Sequence, residues 1–313
     1  MERTFIESMK SRIPFIKSHW EIDHLCDRTQ TLDEYEKKKR HYEGLGNLLT
    51  EGIIGGRPIA TYHLNNPVVT EHGYTYLLEL PAPKPGKKTA SGLEHIEVVV
   101  DEKFTDLIEL APELKWDMRA LGKELNPEVE AQFGEANIKF HHHSLDCIIN
   151  IEKHKKAFKF LSKLSLFKEF YPLVSGTIPL GIDVEGSDLD ILMECRSFNH
   201  LASEVKQVFP QAIVKVEKKH LVARFNFEGL PIEIYAEDKC PLKQTAHKHL
   251  RIENRIIKLL GEEFKNKVIE LKKKGVKTEP AFGILLELDE PYEDLLRWYD
   301  LSDFELLQKI KKV

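Results

Sequence analysis

Two aspartates that share one side of a short apolar segment constrain this chain more than any other feature. Asp188 and Asp190 are separated by Leu189 and followed by the apolar run 191–193. Apolar and β-branched neighbours predict a strand, in which residues two apart point to the same side. Two carboxylates this close repel each other, and a divalent cation between them removes the repulsion. The pattern therefore predicts either an exposed strand end or a cation site.

Two further elements accompany the aspartates. Gly176 and Thr177 precede them by a short spacer, and a small residue followed by a hydroxyl lets backbone N–H groups approach a phosphate. Glu233 lies in another strand-like run, 231–235. Gly-Thr, Asp-x-Asp and one acid on a neighbouring strand together suit two Mg²⁺ ions held against a nucleoside triphosphate.

This half of the chain resembles the nucleotidyltransferase superfamily, which has the polymerase-β-like fold. Residues 157–298 are similar, more narrowly, to an uncharacterised bacterial family of that superfamily. The matching segments are Gly176–Ile191, Phe227–Tyr235, Gln244–His249 and Lys277–Phe282. Thr177 stands where the superfamily usually has serine, and it keeps the hydroxyl. The resemblance implies a mixed sheet with helices, in which Asp188, Asp190 and Glu233 bind Mg²⁺ and act in catalysis.

The resulting hypothesis is transfer of a nucleotidyl group from a nucleoside triphosphate to an unknown acceptor. The residues that would bind the nucleotide are Gly176, Thr177, Ser187, His249 and Arg255. His249 and Arg255 lie on a helix predicted at 241–260, where one of them would reach the triphosphate or the acceptor. The competing interpretation is that His249 and Glu253, four residues apart, form an ion pair on the helix surface.

The net charge indicates which kind of acceptor the protein could use, and the cysteine content indicates its cellular compartment. The formal net charge is −5, and no stripe of aromatic and basic residues is present, which disfavours a long nucleic acid as the acceptor. The lysine-rich segment 150–171 is interpreted first as a solvated helix face. Four scattered cysteines without a CxxC motif fit a reducing cytoplasm, and no segment approaches the length of apolar chain that spans a membrane. The oligomeric state stays open.

Four polar residues stand out in strand-like runs of the first half. They are His24, Glu79, His95 and His141. Neutral imidazoles with one carboxylate suit a Zn²⁺, Fe²⁺ or Mn²⁺ site. Each histidine taken alone also fits a satisfied core or surface residue. Glu97 shares a face with His95, and His143 shares one with His141, so either could be the ligand instead.

Residues 20–148 resemble the YecM family, within the vicinal oxygen chelate superfamily. The matching segments include Asp23-His24 with Arg28, Asn47–Ile59, Glu79–Pro81, Gly92–Glu97, Leu125–Pro127 and Ile138–His141. The resemblance implies paired βαβββ units that form a cup around a divalent metal. Its ligands would come from the first and last strands of each unit, where the four polar residues fall. His141 departs from the glutamate that many members use as the final ligand.

These patterns together predict an α+β protein of two domains, at 1–151 and 152–313. A short amphipathic helix is expected within 5–16. In the first half, a strand–helix–strand–strand pattern is expected to recur in a looser form. In the second half, helices are expected at 241–260, 262–274 and 280–288. An alternating segment at 212–236 indicates further strand structure.

Two other functions compete with nucleotidyl transfer. In the first, the N-terminal half carries out metal-dependent chemistry, such as isomerisation, ring cleavage or thiol transfer, and the C-terminal half only binds nucleotide. In the second, the protein is a non-enzymatic sensing or partner protein. The second predicts no bound metal in either half and no effect of nucleotide on the melting temperature.

Overall fold

The computed structural model describes residues 17–70, 73–87, 90–133 and 136–311, and the helix predicted within 5–16 lies outside them. The chain divides into two compact units. Unit 1 runs up to Leu145 and includes Ser302–Phe304, and unit 2 runs from Asp146 to Leu301 and resumes at Glu305. Each unit combines helices with a sheet, so the predicted α+β class is confirmed.

Unit 1 is organised around an eight-stranded sheet in the order β2-β3-β4-β1-β5-β8-β7-β6. Its strands are β1 (Glu21–Arg28), β2 (Gly46–Ile54), β3 (Arg57–Thr70), β4 (Gly73–Pro81), β5 (Gly92–Val99), β6 (Lys115–Asp117), β7 (Glu128–Phe133) and β8 (Ala136–His141). The helices are α1 (Leu32–Glu43) and α2 (Phe104–Leu110), with a 3₁₀ turn at Arg119–Gly122. The segment after α2 contributes the strands β6 and β7.

The sheet consists of two βαβββ repeats, β1-α1-β2-β3-β4 and β5-α2-β6-β7-β8. In each repeat the first strand runs parallel to the last, so that β1 pairs with β4 and β5 with β8. The antiparallel pair of β1 and β5 joins the repeats. The paired βαβββ arrangement expected from the family resemblance is confirmed, and it brings the first and last strands of both repeats together at the centre of the sheet.

The central strands bury apolar side chains on one side. Leu25, Ile96 and Phe140 are fully buried in a core that includes Phe104 and Leu107 of α2. Because side chains alternate along a strand, the neighbours of these core residues point to the opposite side of the sheet. The predicted ligands on β1, β5 and β8 are among those neighbours.

Unit 2 contains a five-stranded sheet in the order β11-β12-β13-β10-β9. Its strands are β9 (Leu173–Ser175), β10 (Leu189–Glu194), β11 (Ile213–Val216), β12 (His220–Phe227) and β13 (Leu230–Glu237). Its helices are α3 (Leu145–Lys153), α4 (Lys155–Leu161), α5 (Thr177–Leu180), α6 (Phe198–Val208), α7 (Thr245–Lys273), α8 (Thr278–Leu285), α9 (Pro291–Trp298) and α10 (Asp303–Ile310), with 3₁₀ turns at Leu164–Phe170 and Pro241–Lys243.

Several local predictions change in detail. The alternating segment at 212–236 forms β11, β12 and β13. The two helices expected at 241–260 and 262–274 are joined in α7, where Gly261 alone has non-helical dihedrals, with φ 77° and ψ −171°. Glycine tolerates this positive φ, so the helix resumes after a kink. The predicted domain boundary at 151/152 falls inside α3. None of the helices in the described ranges has the length and apolar character needed to cross a membrane.

Candidate functional site

Three histidines of unit 1 point the same ring nitrogen at one carboxylate. Nε2 of His24 lies 3.5 Å from Oε1 of Glu97, and Nε2 of His95 lies 3.2 Å from the same oxygen. Nε2 of His141 lies 3.4 Å from Oε2 of Glu97. The four side chains are buried, with Glu97 the most exposed at 7%. The structure therefore brings together His24, His95 and His141 around the residue that the sequence indicated as an alternative ligand.

The opposite nitrogen of two of these rings is held by a carboxylate. Nδ1 of His24 lies 2.9 Å from Oδ2 of Asp23, and Nδ1 of His95 lies 3.0 Å from Oε2 of Glu94. An acceptor on Nδ1 fixes the orientation of the ring and keeps Nε2 directed at the centre of the cluster. Asp23 is itself held, because Oδ2 accepts a hydrogen bond of 2.8 Å from the backbone N–H of Leu145.

The third ring shows which of its nitrogens can bind a metal. Nδ1 of His141 is hydrogen-bonded to the backbone carbonyl oxygen of His143. The side-chain amide nitrogen of Asn126 also lies 3.0 Å from Nδ1. When Nδ1 carries the hydrogen and donates it to the carbonyl oxygen, Nε2 carries the lone pair. That buried Nε2 has no hydrogen-bond partner among the described residues. A neutral imidazole with this tautomer has the form that ligates metal ions.

The acids around the cluster set its charge in the metal-free protein. Burial lowers the pKa of His24, but the Glu97 carboxylate and the hydrogen bond to Asp23 outweigh it and raise the pKa to about 10. Burial disfavours the charged form of Glu97, whereas Lys139, 2.8 Å away, and His24 hold the pKa of that carboxyl well below its usual range. Burial lowers the pKa of His141. At neutral pH a His24 cation therefore faces a Glu97 anion beside a neutral His141.

The position of Glu79 differs from the prediction. It lies on β4 beside Cys26 of β1 and is half-buried. Like Glu97, it belongs to none of the close clusters of ligand atoms among the described residues. Those clusters in unit 1 are Asp23 with His24 and His141, and Cys26 with Glu94 and His95. The i, i+2 spacing of His95 and Glu97 on one strand was the sequence signal for the central acid. Asp23 and Glu94 gave no such signal, because residues adjacent in a strand are expected on opposite faces.

The raised pKa of His24 predicts how stability changes with pH. Because this pKa lies above the ordinary value of 6.5, the folded state of the chelator-treated protein binds more protons than the unfolded chain up to a pH of about 10. The contribution to the free energy of unfolding is fully present below pH 6.5 and is lost as the pH rises through about 10. We expect urea unfolding curves of the wild type and His24→Gln to differ in this window, with the wild type losing more stability. Parallel pH dependences would contradict the assignment.

Unit 2 brings its three predicted acids to one cleft. Asp190 of β10 and Glu233 of β13 are direct partners in the parallel register. Together with Asp188 they line an open cleft of about 790 Å³. Oε2 of Glu233 accepts hydrogen bonds of 2.6 and 2.5 Å from Nε and Nη2 of Arg224. The three carboxylates are not among the described clusters whose ligand atoms all lie within 4.8 Å, so a shared cation would require side-chain rotation.

The electrostatic state of Asp190 reflects its surroundings. Burial, followed by the Asp188 and Glu233 carboxylates, raises the pKa of Asp190 to about 7. Lys272 also lines the cleft, and its ammonium group donates a hydrogen bond of 2.9 Å to the Thr278 hydroxyl. Lys272, which no sequence pattern had indicated, therefore offers a positive charge to an anionic ligand in the cleft.

The remaining predicted residues of unit 2 separate into two groups. Gly176, Thr177, Ser187 and His249 line the cleft. The Ser187 hydroxyl accepts a 3.0 Å hydrogen bond from the backbone N–H of Val184, which braces the loop before Asp188. Arg255 does not line the cleft. Its guanidinium is buried and donates hydrogen bonds of 3.1 and 2.6 Å to the carbonyl oxygens of Tyr299 and Leu301, so the predicted nucleotide contact is replaced by a structural one.

Gly176 is required by its contact with Asp190. Its φ is 78°, and a Cβ at this position would lie 1.8 Å from Oδ2 of Asp190. We expect Gly176→Ala to lower the free energy of unfolding by about 1–3 kcal/mol through backbone strain, and by more where Asp190 must move. Gly186→Ala is the matched control, since φ is 88° there but nothing lies within 4 Å of the added methyl group. Equal losses in chemical denaturation would show that the contact with Asp190 is unimportant.

Comparisons with known proteins match the two halves of the chain to two different families. A family model described as YecM protein matches residues 3–132, and one described as domain of unknown function DUF4269 matches residues 156–298. Protein YecM of Escherichia coli K12 is 30% identical over 146 residues, which cover 42% of this chain and 78% of that protein.

Two solved structures are similar to part of the chain. The structure titled Protein EC4020 is 28% identical with a TM-score of 0.41, and the match covers 48% of this chain and 86% of that one. A methylmalonyl-CoA epimerase of Streptomyces coelicolor is 16% identical with a TM-score of 0.30, covering 40% and 96%. TM-scores this low do not establish a common function.

Proposed function

The chain belongs to the YecM family through its N-terminal part, and we propose that it is a metalloprotein with two working modules. Unit 1 holds a divalent transition-metal ion, and unit 2 transfers a nucleotidyl group from a nucleoside triphosphate to an acceptor with the help of Mg²⁺. Each half of the proposal depends on one structural observation.

For unit 1 that observation is the buried Nε2 of His141, which has no hydrogen-bond partner among the described residues. The Nε2 atoms of His24 and His95 also face the Glu97 carboxylate, at 3.5 and 3.2 Å, and this mixed nitrogen and oxygen set fits Zn²⁺, Fe²⁺ or Mn²⁺. Bound there, such an ion would supply Lewis-acid chemistry to an oxygen of a small substrate. Asp23 orients the His24 ring through Nδ1, and its Oδ2 also lies 3.6 Å from Nε2 of His141.

For unit 2 the observation is the register that places Asp190 beside Glu233 on adjacent parallel strands, with the Gly176 backbone pressed against Asp190. A set of carboxylate oxygens from Asp188, Asp190 and Glu233 fits Mg²⁺, which prefers hard oxygen ligands. When bound, Mg²⁺ would neutralise negative charge on the α-phosphate and on the leaving pyrophosphate.

The remaining groups of the cleft support the same reaction. The backbone at Gly176 and Thr177 offers room and donors for phosphate oxygens, and Lys272 offers a positive charge. The acceptor oxygen attacks the α-phosphorus, the bond from that phosphorus to pyrophosphate breaks, and the acceptor proton passes to Glu233. Arg224 contacts Oε2 of Glu233 and so positions this side chain. The net charge of −5 favours a small molecule or a protein side chain as acceptor over a long nucleic acid.

One titration of the chelator-treated full chain tests both halves. We expect Zn²⁺ or Mn²⁺ alone to raise a melting transition, and a nucleoside triphosphate to raise the melting temperature only when Mg²⁺ is also present, because ligands that bind the folded state stabilise it. Stabilisation by a nucleotide without any divalent ion would contradict the proposal for unit 2. Absence of any transition-metal effect, with no metal found by elemental analysis, would contradict the proposal for unit 1.

A further inference from the structure

A second cluster of ligand side chains lies in the cleft of unit 2, apart from the three acids on the strands. His249 and Glu253 are one turn apart on α7, and Glu279 stands in the first turn of α8. The ligand atoms of these three residues lie within 4.8 Å of one another, and all three line the cleft. The sequence indicated His249 and Glu253 as a surface ion pair, but His249 is only 5% exposed and Glu253 only 4%.

The two buried members of this cluster have atoms without partners. Nδ1 of His249 and Oε1 of Glu253 make no hydrogen bond to any described residue. Leaving a buried polar atom unpaired is costly, and a carboxylate oxygen is more costly than a neutral group. Helix α7 buries both groups beside the cleft rather than in an apolar core, so a ligand entering the cleft can satisfy both atoms at once.

The kind of ligand follows from the chemistry of the donors. All three members can donate an electron pair, and two of them are acids that face the Lys272 ammonium as well as each other. One imidazole nitrogen with two carboxylate oxygens suits Zn²⁺ or Mn²⁺, whereas the all-oxygen set of Asp188, Asp190 and Glu233 suits Mg²⁺. Ligands one turn apart on a helix lie on the same face. Glu279, on helix α8, supplies the third ligand on the same side of the ion. The other side of the ion stays open to the cleft.

We propose that His249, Glu253 and Glu279 form a transition-metal site within the cleft of unit 2. The site is separate from the three-acid set, and its existence does not depend on nucleotidyl transfer. Its open side faces the same cleft, so an ion held there would accept a further ligand from water or from a molecule bound in the cleft.

The test uses the full chain with both ligand clusters of unit 1 disabled by His24→Gln, His95→Gln and His141→Gln. After chelation, titration calorimetry with Zn²⁺ alone should detect one equivalent bound in this background. Adding Glu253→Gln, which is nearly isosteric, should weaken Zn²⁺ binding at least ~100-fold, because a direct ligand is lost. Glu279→Gln, at a half-buried position, provides a second variant in case Glu253→Gln affects folding.

Two control variants test whether Zn²⁺ binding depends on nearby acids other than the proposed ligands. Glu293→Gln removes an exposed acid near His249 and should leave Zn²⁺ affinity unchanged. Asp188→Asn with Asp190→Asn should also preserve the Zn²⁺ equivalent. The proposal is overturned if the background binds no Zn²⁺, if the equivalent survives both Glu253→Gln and Glu279→Gln, or if it disappears with the aspartate pair. Stabilisation by spermidine in place of Zn²⁺ would overturn it as well and assign the cluster to an organic amine.

Discussion

Asp188→Asn combined with Asp190→Asn should abolish Mg²⁺-dependent binding of nucleoside triphosphates to the full chain. We expect at least a ~100-fold weaker affinity in titration calorimetry, because direct ligands of the ion are lost. The same variant should gain stability in the absence of metal. Burial and the neighbouring Asp188 and Glu233 raise the pKa of Asp190 to about 7, so ionised Asp190 destabilises the metal-free fold, and asparagine removes that repulsion.

The pH dependence separates this outcome from misfolding. An acid whose pKa is raised in the folded state costs stability as the pH rises from its unfolded pKa of about 3.9 to its folded value. The advantage of the double variant over the wild type should therefore be absent near pH 4 and complete above pH 7. Glu185→Gln, an exposed acid of the preceding loop, is the control and should change neither property. A double variant that binds nucleotide and Mg²⁺ normally would refute the assignment.

Glu97→Gln should produce the largest loss of stability in unit 1. The carboxylate faces Nε2 of His24 at 3.5 Å and Nζ of Lys139 at 2.8 Å, and both Glu97 and His24 are buried. Removing one partner of a buried charge pair costs about 3–5 kcal/mol, since the other charge is left uncompensated. We expect a loss of this size in urea denaturation of the metal-free protein, together with loss of the transition-metal ion from unit 1.

Asp33→Asn is the control for Glu97→Gln, because Asp33 pairs with Lys37 on the exposed side of α1. Breaking that pair should change the free energy of unfolding by less than about 0.5 kcal/mol. If Glu97→Gln lowers the free energy of unfolding as little as Asp33→Asn does, the ion pairs of Glu97 do not stabilise unit 1. If Glu97→Gln retains the unit 1 metal at wild-type affinity, the carboxylate is not one of its ligands.

Local sequence patterns were sufficient to predict the three acids in the cleft of unit 2. The i, i+2 spacing of Asp188 and Asp190 and the alternation around Glu233 depend only on the pleat of a strand, which a sequence displays directly. Arg255 could not be placed in the same way. Helical periodicity places it about 120° around the helix from His249. Whether its guanidinium meets a ligand or the carbonyls of Tyr299 and Leu301 depends on chain segments far away in sequence.

The resemblance of residues 20–148 to the YecM family implied the paired βαβββ repeat. The sequence by itself determined the α+β class and the residue types available for a metal site. These properties arise from alternation, spacing and local residue chemistry. Tertiary structure alone decided that Glu97, rather than Glu79, stands among the three histidines, because the antiparallel pairing of β1 with β5 sets His24 directly opposite Glu97. It also decided that His249 and Glu253 are buried with unpaired atoms. Register and burial arise from contacts between distant segments, and no single stretch of sequence specifies them.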